Sequence, residues 1–243
     1  MRVRIWYLGH SAWCAETENR RLLFDYVGFS AKTGGLEDGV VVLERLKDKP
    51  LTAFASHSHG DHYDRALHKA SAAYPNVTWV LGGIDPQGCG VMVSGRETRA
   101  VGDVTVRSAA STDAGCCFLA EADGVRIFHA GDNADWGDPG DKSAYRAEID
   151  YLAGLGVPVD AAFIPVCMFN GRRPACMTRG ALYAMEKLRP AYVFPMHANG
   201  REQLYEEFRR DAEKVGKIPV LCMKKAGEFV DLEIGGSKWR TKP

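Results

Sequence analysis

Ser56-His57-Ser58-His59-Gly60-Asp61-His62 packs three imidazoles and a carboxylate into seven residues, and its reading decides the fold. These are the ligand types that hydrolytic divalent metals take most often. The apolar run before it, Leu51-Thr52-Ala53-Phe54-Ala55, reads as a buried strand that delivers the histidines at its carboxyl end. Side chains alternate along an extended segment, so His57 and His59 point the same way and are spaced to hold one ion. Gly60 allows a tight turn. Asp61 and His62 then fall at the start of a helix expected over Tyr63 to Ala73, where they face a second ion. The competing reading is a polar turn with solvated histidines, but ordinary loops rarely concentrate histidine this densely.

Working outward, strands are expected at Val3 to Tyr7, Trp13 to Thr17 and Arg21 to Asp25, with a hairpin turn at Asn19-Arg20. A Gly-rich loop and a short helix around Val40 to Lys47 lead into the histidine-bearing strand. Beyond it, a strand at Val77 to Leu81 precedes a turn cluster from Gly82 to Gly88. Four short strands near Glu97 to Val101, Val104 to Ser108, Cys116 to Glu121 and Val125 to Ala130 form a meander whose last hairpin turns on Asp123-Gly124. Helices over Ser143 to Ala153, Arg179 to Leu188 and Glu202 to Val215 then alternate with strands at Ala161 to Pro165, Tyr192 to Pro195 and Val220 to Met223. This order suits an α/β sandwich with helices outside two sheets. No repeat, low-complexity tract or Gly/Ser linker divides the chain, so residues 1–243 are expected to form a single domain.

His57-Ser58-His59-Gly60-Asp61-His62 resembles the HxHxDH signature of the metallo-β-lactamase superfamily. Leu22-Leu23-Phe24-Asp25 is similar to that family's early strand ending in aspartate, Ala130-Gly131-Asp132 to its later strand ending in Gly-Asp, and Phe194-Pro195-Met196-His197 to its final strand ending in histidine. Gly9-His10-Ser11 narrows the resemblance to the ascorbate-6-phosphate-lactonase-like and related branches. The resemblance implies a four-layer αββα sandwich and a centre for one or two divalent ions, zinc first, manganese or iron next. Its ligands would be His57, His59, Asp61, His62, Asp132 and His197, with Asp132 shared between ions. Asp25 would hold one ligand histidine in its correct tautomer. His10 would orient a ligand, bind substrate or donate a proton, unless it is an ordinary turn histidine; with Asp61 it completes the catalytic candidates.

One departure stands out. Relatives place a third histidine for the first ion between the cluster and the Gly-Asp strand, and here only His68 and His129 are candidates. His68 reads as an exposed helical residue, and His129 as one packed on the far side of its strand from Asp132. The loop Ser108 to Gly115 contains Asp113 instead, which is either a substitute ligand or a turn-capping aspartate. As a ligand it would harden the first site toward manganese or iron(II).

With 31 basic and 31 acidic residues the formal charge is zero, which argues against wholesale nucleic-acid steering. No segment has the apolar length of a membrane span, and the start Met1-Arg2-Val3-Arg4-Ile5-Trp6 lacks the pattern of a signal peptide, so cytoplasmic residence is expected. Seven cysteines without a Cys-x-x-Cys pair fit reduced thiols, and Cys116, Cys117, Cys167 and Cys176 have no assigned role.

The function expected is hydrolysis by a metal-activated hydroxide. No Gly-x-Ser-x-Gly elbow competes with it. The substrate expected is a small-molecule ester or lactone, with an anionic one favoured if Arg172 and Arg173 reach the site. Trp136 is either a wall of the same pocket or core. The alternatives are a phosphodiesterase or nuclease of the same superfamily, and a metal-binding member without catalysis. Oligomeric state has no sequence signal.

Overall fold

The computed structural model describes residues 1–28, 33–87, 89–235 and 239–241. Two sheets face each other. The first has eight strands in the order β14-β13-β1-β2-β3-β4-β5-β6, where β1 is Arg2–Gly9, β2 Ala12–Glu16, β3 Arg21–Phe24, β4 Leu51–Ala55, β5 Val77–Gly82, β6 Val91–Val93, β13 Phe229–Glu233 and β14 Trp239–Thr241. The second has six in the order β12-β11-β10-β9-β8-β7, with β7 Glu97–Val101, β8 Val104–Ala110, β9 Cys116–Ala122, β10 Val125–His129, β11 Ala161–Pro165 and β12 Tyr192–Met196.

Period-two burial explains the layering. Val3, Ile5 and Tyr7 of β1, with Phe54 of β4, enter the core between and beneath the sheets, whereas Trp6, Leu8, Leu51, Ala53 and Ala55 join a separate apolar cluster on the outer face of the first sheet. That outer face is covered by α1 (Arg65–Ser71) and by two 3-10 turns at Leu36–Asp38 and Leu43–Leu46. Helices α2 (Pro139–Gly154), α3 (Ala175–Leu188) and α4 (Gln203–Glu213) pack on the second sheet. The result is the four-layer αββα sandwich. Trp13 stacks on Phe163 across the inter-sheet core, centroids 4.7 Å apart and rings 9° from parallel. Each such buried aromatic contributes about 1.5–3 kcal/mol of transfer free energy.

Several boundaries differ from the sequence reading. Asp64 caps α1 by accepting from the backbone N–H of Ala66 and Leu67, so the helix begins two residues later than expected and Asp61 and His62 lie on the turn before it. The Val40 to Lys47 segment reaches only 3-10 geometry. Val220 makes a single bridge to Val193 rather than opening a strand. Strands β6, β13 and β14 were not foreseen, and Gly88 of the turn cluster lies outside the described residues. His68, expected exposed, is buried, its ring between the Tyr63 hydroxyl and the Cys89 carbonyl. The short α1 lies flat on the sheet and turns that face inward.

Strands β3, β4 and β5 run parallel, as do β10, β11 and β12. Open α/β sheets bind ligands beyond the carboxyl ends of such strands. Asp25, the His57 cluster, Asp132 and His197 all follow those ends.

Candidate metal centre

The loop after β4 is pinned before it reaches its histidines. Asp25, fully buried, accepts from the Ser56 backbone N–H at 2.7 Å, from Ser56 Oγ at 2.6 Å and from His62 Nδ1 at 2.7 Å. That last bond leaves His62 Nε2 pointing inward as the free ring nitrogen. Ser56 Oγ also lies 2.9 Å from His57 Nδ1, so His57 likewise presents Nε2. His197 Nδ1 donates to the Cys167 carbonyl at 2.9 Å, with the same consequence.

Two groups of donors follow. Among His57, His59 and Asp113, the His59 Nδ1 lies 3.2 Å and the His57 Nε2 3.6 Å from Asp113 Oδ2. In the second group, Asp61 and His62 meet His10 and His197, every donor atom within 4.8 Å of the others. Asp132 joins the two. Its Oδ1 is 3.2 Å from His62 Nε2 and 3.3 Å from His197 Nε2, while its Oδ2 is 3.8 Å from His57 Nε2.

The structure therefore brings His57, His59, Asp61, His62, Asp113, Asp132, His197 and His10 to one place. Four atoms at its centre, Nε2 of His10, His62 and His197 and Oδ1 of Asp132, are buried and have no hydrogen-bond partner among the described residues. Buried polar atoms left unpaired cost about 1–3 kcal/mol each. A divalent cation placed among these donors would remove that penalty, and the nitrogen and carboxylate set fits zinc, manganese or iron(II).

Ionisation matches that use. Burial opposes charge on Asp132, but the His197 and His62 contacts outweigh it and hold the carboxyl well below the usual range. Asp61 is likewise disfavoured by burial yet drawn down to about 2, with His10 and His62 beside it. Burial lowers His57 and His10, keeping both neutral as ligands must be. His62 runs the other way: burial disfavours its charge, but Asp25 and Asp132 raise it well above the ordinary value. A cation at its Nε2 would displace that proton.

Backbone contacts hold the loops at these positions. The Ser56 carbonyl accepts from Cys116 N at 2.9 Å, tying the histidine loop to the Asp113 loop. Gly115 sits at φ +63°, and a Cβ there would lie 2.0 Å from the Ser56 carbonyl oxygen. Gly131, at φ +54°, lets the Asp132 loop cross Ser56 with 2.6 Å between a would-be Cβ and Ser56 Cβ. Thr112 links its loop to the Asp132 loop through Asn133 Oδ1 and the Ala134 backbone. His197 N donates to the His10 carbonyl at 3.2 Å, and the His10 ring lies 4.2 Å from that of His197. His129 is buried against Phe24 and Asp25, with Nε2 on the Ser11 carbonyl.

Over the donors opens a cavity of about 470 Å³ lined by His59, Asp61, Asp113, Asp132 and His197, and by Thr112, Trp136, Asp141 and Phe169. Trp136 is thus a wall. The two arginines expected there are not. Arg173 Nη1 donates to Thr178 Oγ1 at 2.7 Å and Asp211 Oδ2 at 2.9 Å, tying the start of α3 to α4, and Arg172 is exposed away from the lining. Asp141 was missed by sequence reasoning; its only signal is its place in the first turn of the helix that follows the Asp132 loop. The seven cysteines are free. Burial pushes Cys117 and Cys167 up to about 12, which removes them as nucleophiles. Among the described residues no helix is long and apolar enough to cross a membrane.

The β-lactamase superfamily domain matches residues 4–197. The chain is similar to proteins named metal-dependent hydrolase from Pyrococcus furiosus, at 24% identity, and Opitutus terrae, at 26%, in each case across 95% of this chain and the whole relative. Igni18, described as a metallo hydrolase from Ignicoccus hospitalis, superposes with a TM-score of 0.70 at 20% identity, covering 96% of this chain and all of its own. CmlA, a diiron beta-hydroxylase from Streptomyces venezuelae, superposes at 0.65 with 15% identity over 96% of this chain and 54% of its own. These two share the fold.

Proposed function

The chain belongs to the metallo-β-lactamase superfamily and is a metal-dependent hydrolase within it, and from that premise we propose that it cleaves a small-molecule ester or lactone at two neighbouring divalent cations. His57, His59, Asp113 and Asp132 would hold the first, and Asp61, His62, His197 and Asp132 the second. Cations bound there supply an activated water at neutral pH and polarise the scissile carbonyl.

The remaining residues orient and position. Asp25 fixes the His62 tautomer, Ser56 that of His57, and the Cys167 carbonyl that of His197. Asp61 faces the cavity and orients the attacking water by accepting its hydrogen bond. His10, with Nε2 3.4 Å from Asp61 Oδ2, buttresses that carboxylate. Zinc suits the second donor set. The carboxylate Asp113 in the first suits manganese or iron(II) as well, and the similar CmlA is described as a diiron protein.

The observation that carries the reading is the convergence of three unpaired buried ligand atoms, Nε2 of His62 and His197 and Oδ1 of Asp132, from three separate loops beside a solvent-open cavity. The phosphodiesterase alternative has less support, because among the described residues no lysine or arginine lines that cavity. The test is to load the protein with zinc, manganese or iron(II), count bound metal, and assay lactones, aryl esters and bis-aryl phosphodiesters. Turnover of ester or lactone alone is expected. Turnover of the diester alone would replace the reading with the nuclease one, and two bound ions without any turnover would replace it with metal binding without catalysis.

A further inference from the structure

The cavity over the donors has a second half that the hydrolytic chemistry does not use. Away from the donors its walls are Trp136, Phe169, Thr112 and Asp141. Trp136 and Phe169 come from different loops, one after β10 and one after β11, yet face the same space. Phe169 is 62% exposed, so core packing does not account for its place at the mouth. Asp141 stands in the first turn of α2 and makes no hydrogen bond or ion pair among the described residues, although Lys142 is its sequence neighbour.

Charge distinguishes this wall. Asp61, Asp113 and Asp132 would be neutralised by cations held among the donors, whereas Asp141 lies outside both donor groups and would keep its negative charge. No cationic side chain answers it from the lining. Arg173 is held by Asp211, and Arg201 Nη1 by the Gly171 carbonyl. A carboxylate lining the same cavity as two aromatic rings attracts a positive group through direct charge and through the ring faces. Phosphate or carboxylate substrates, which the arginine-bearing stretch of sequence suggested, would meet repulsion here instead.

We propose that Trp136, Phe169 and Asp141 form a subsite for a cationic group, a quaternary or primary ammonium carried by the substrate on the far side of its scissile bond. The proposal rests on the hydrolase reading for the bond cleaved, and on the cavity wall alone for the ammonium.

The test uses the zinc-loaded full chain in two arms. In the first, a choline ester is compared with its neutral isostere, the 3,3-dimethylbutyl ester, and with the 2-sulfoethyl ester of the same acid. The expected KM for the choline ester is about fivefold below that of the neutral ester at similar kcat, with the sulfoethyl ester poorest. Asp141→Asn should erase the difference in KM between the choline and neutral esters, and Asp141→Lys should reverse the order. In the second arm, tetramethylammonium is titrated calorimetrically against wild type, Asp141→Asn and Trp136→Leu, with tert-butanol as the neutral control; weaker binding to both variants is expected. Equal KM values across the esters, or equal tetramethylammonium affinity in wild type and Asp141→Asn, would overturn the subsite while leaving the hydrolase reading intact. Ammonium binding that depends on Asp141 without turnover of any ester would uphold the subsite and count against the ester reading.

Discussion

Replacing Asp25 by Asn keeps the shape of the side chain and removes its charge, and the structure dictates how the site must respond. Oδ1 of Asp25 accepts from Ser56 N, and Oδ2 accepts from both Ser56 Oγ and His62 Nδ1, all at 2.6–2.7 Å. Asparagine tolerates the positive φ of 44° that Asp25 adopts, so the backbone is not the variable. If the amide oxygen stays on Ser56 N, the NH2 group faces His62 Nδ1, which must then give up its proton and become the acceptor. The proton moves to Nε2, 3.2 Å from Asp132 Oδ1, and His62 can no longer ligate through that nitrogen. If the amide flips, two donors oppose each other in a fully buried site. Losing charge-assisted hydrogen bonds of this kind costs about 1–3 kcal/mol. Loss of a partner that orients a ligand histidine weakens metal binding about 10–100-fold. Asp25→Asn is therefore expected to retain the first cation, to bind the second 10–100-fold more weakly, and to unfold in urea with 1–3 kcal/mol less stability when metal-free. Competition against a chromophoric chelator, followed by elemental analysis, reads the two affinities. Two cations bound with wild-type affinity would refute the tautomer argument.

Asp113→Ala removes one donor from the first group only, so bound metal counted by elemental analysis should fall from two equivalents toward one; an unchanged count would remove Asp113 from the ligand set. Gly115→Ala forces an unfavourable left-handed φ worth about 1–2 kcal/mol and drives a Cβ into the Ser56 carbonyl. At the 2–4 °C per kcal/mol expected for a chain of this size, the φ cost alone should lower its melting midpoint by about 2–8 °C, with the clash adding to it, and a wild-type midpoint would contradict the close approach. Asp231 is held below the ordinary aspartate value first by its hydrogen bonds to Arg4, and then by Arg2. A depressed folded value means its contribution is complete above the unfolded pKa near 3.8 and disappears as pH falls through the folded one. Asp231→Asn should thus flatten the stability profile below about pH 4; an unchanged acid limb in pH-dependent denaturation would count against it. Stripping the cations with chelator should lower the midpoint by about 5–10 °C per site, given about 2.7 kcal/mol for a ligand at a hundred times its Kd. No shift in a preparation whose metal has left would show that the donors are not stabilised by cations.

How much of this was legible beforehand varied with the range of the interactions involved. The ligand candidates in Ser56 to His62 are adjacent in sequence, so spacing alone exposed them, and the alternating runs of β1 to β4 exposed the strands that carry them. Strand β13 escaped because its pairing partner, β1, lies more than 220 residues away and its own five residues mix charge with apolar character. Arg173 looked free for the same reason. Its partner Asp211 is 38 residues further on, and nothing local to the Arg172-Arg173 pair announces α4. His68 was misread because helical periodicity says which residues share a face but not which face the fold buries, and α1 at seven residues is too short to show a stripe. The direction of the cavity's charge could not be read at all, since it depends on which of many aspartates lack a partner once the chain is packed.

The backbone itself registers what the site demands. His10, Asp25 and His197 all take positive φ, at 51°, 44° and 74°, and each stands just beyond the end of a strand. None is glycine, so each conformation costs on the order of 1–2 kcal/mol. The geometric reason is common to all three. A residue that continued the extended path would hold its side chain on one face of the sheet, whereas a left-handed residue reverses the local chain direction and re-aims the side chain. That reversal is what lets side chains from β1, β3 and β12 meet those after β4 and β10. Holding the three requires contacts from elsewhere: Asp25 is fixed by Ser56 and His62, and His10 and His197 are clamped to each other through the His10 carbonyl, which Tyr205 of α4 also approaches at 3.5 Å. Strain in the backbone and unpaired polar atoms in the side chains thus fall on overlapping residues. A core selected for stability alone would have filled this space with aliphatic side chains in ordinary conformations; a cation that prefers nitrogen and oxygen donors would account for both the strain and the unpaired atoms.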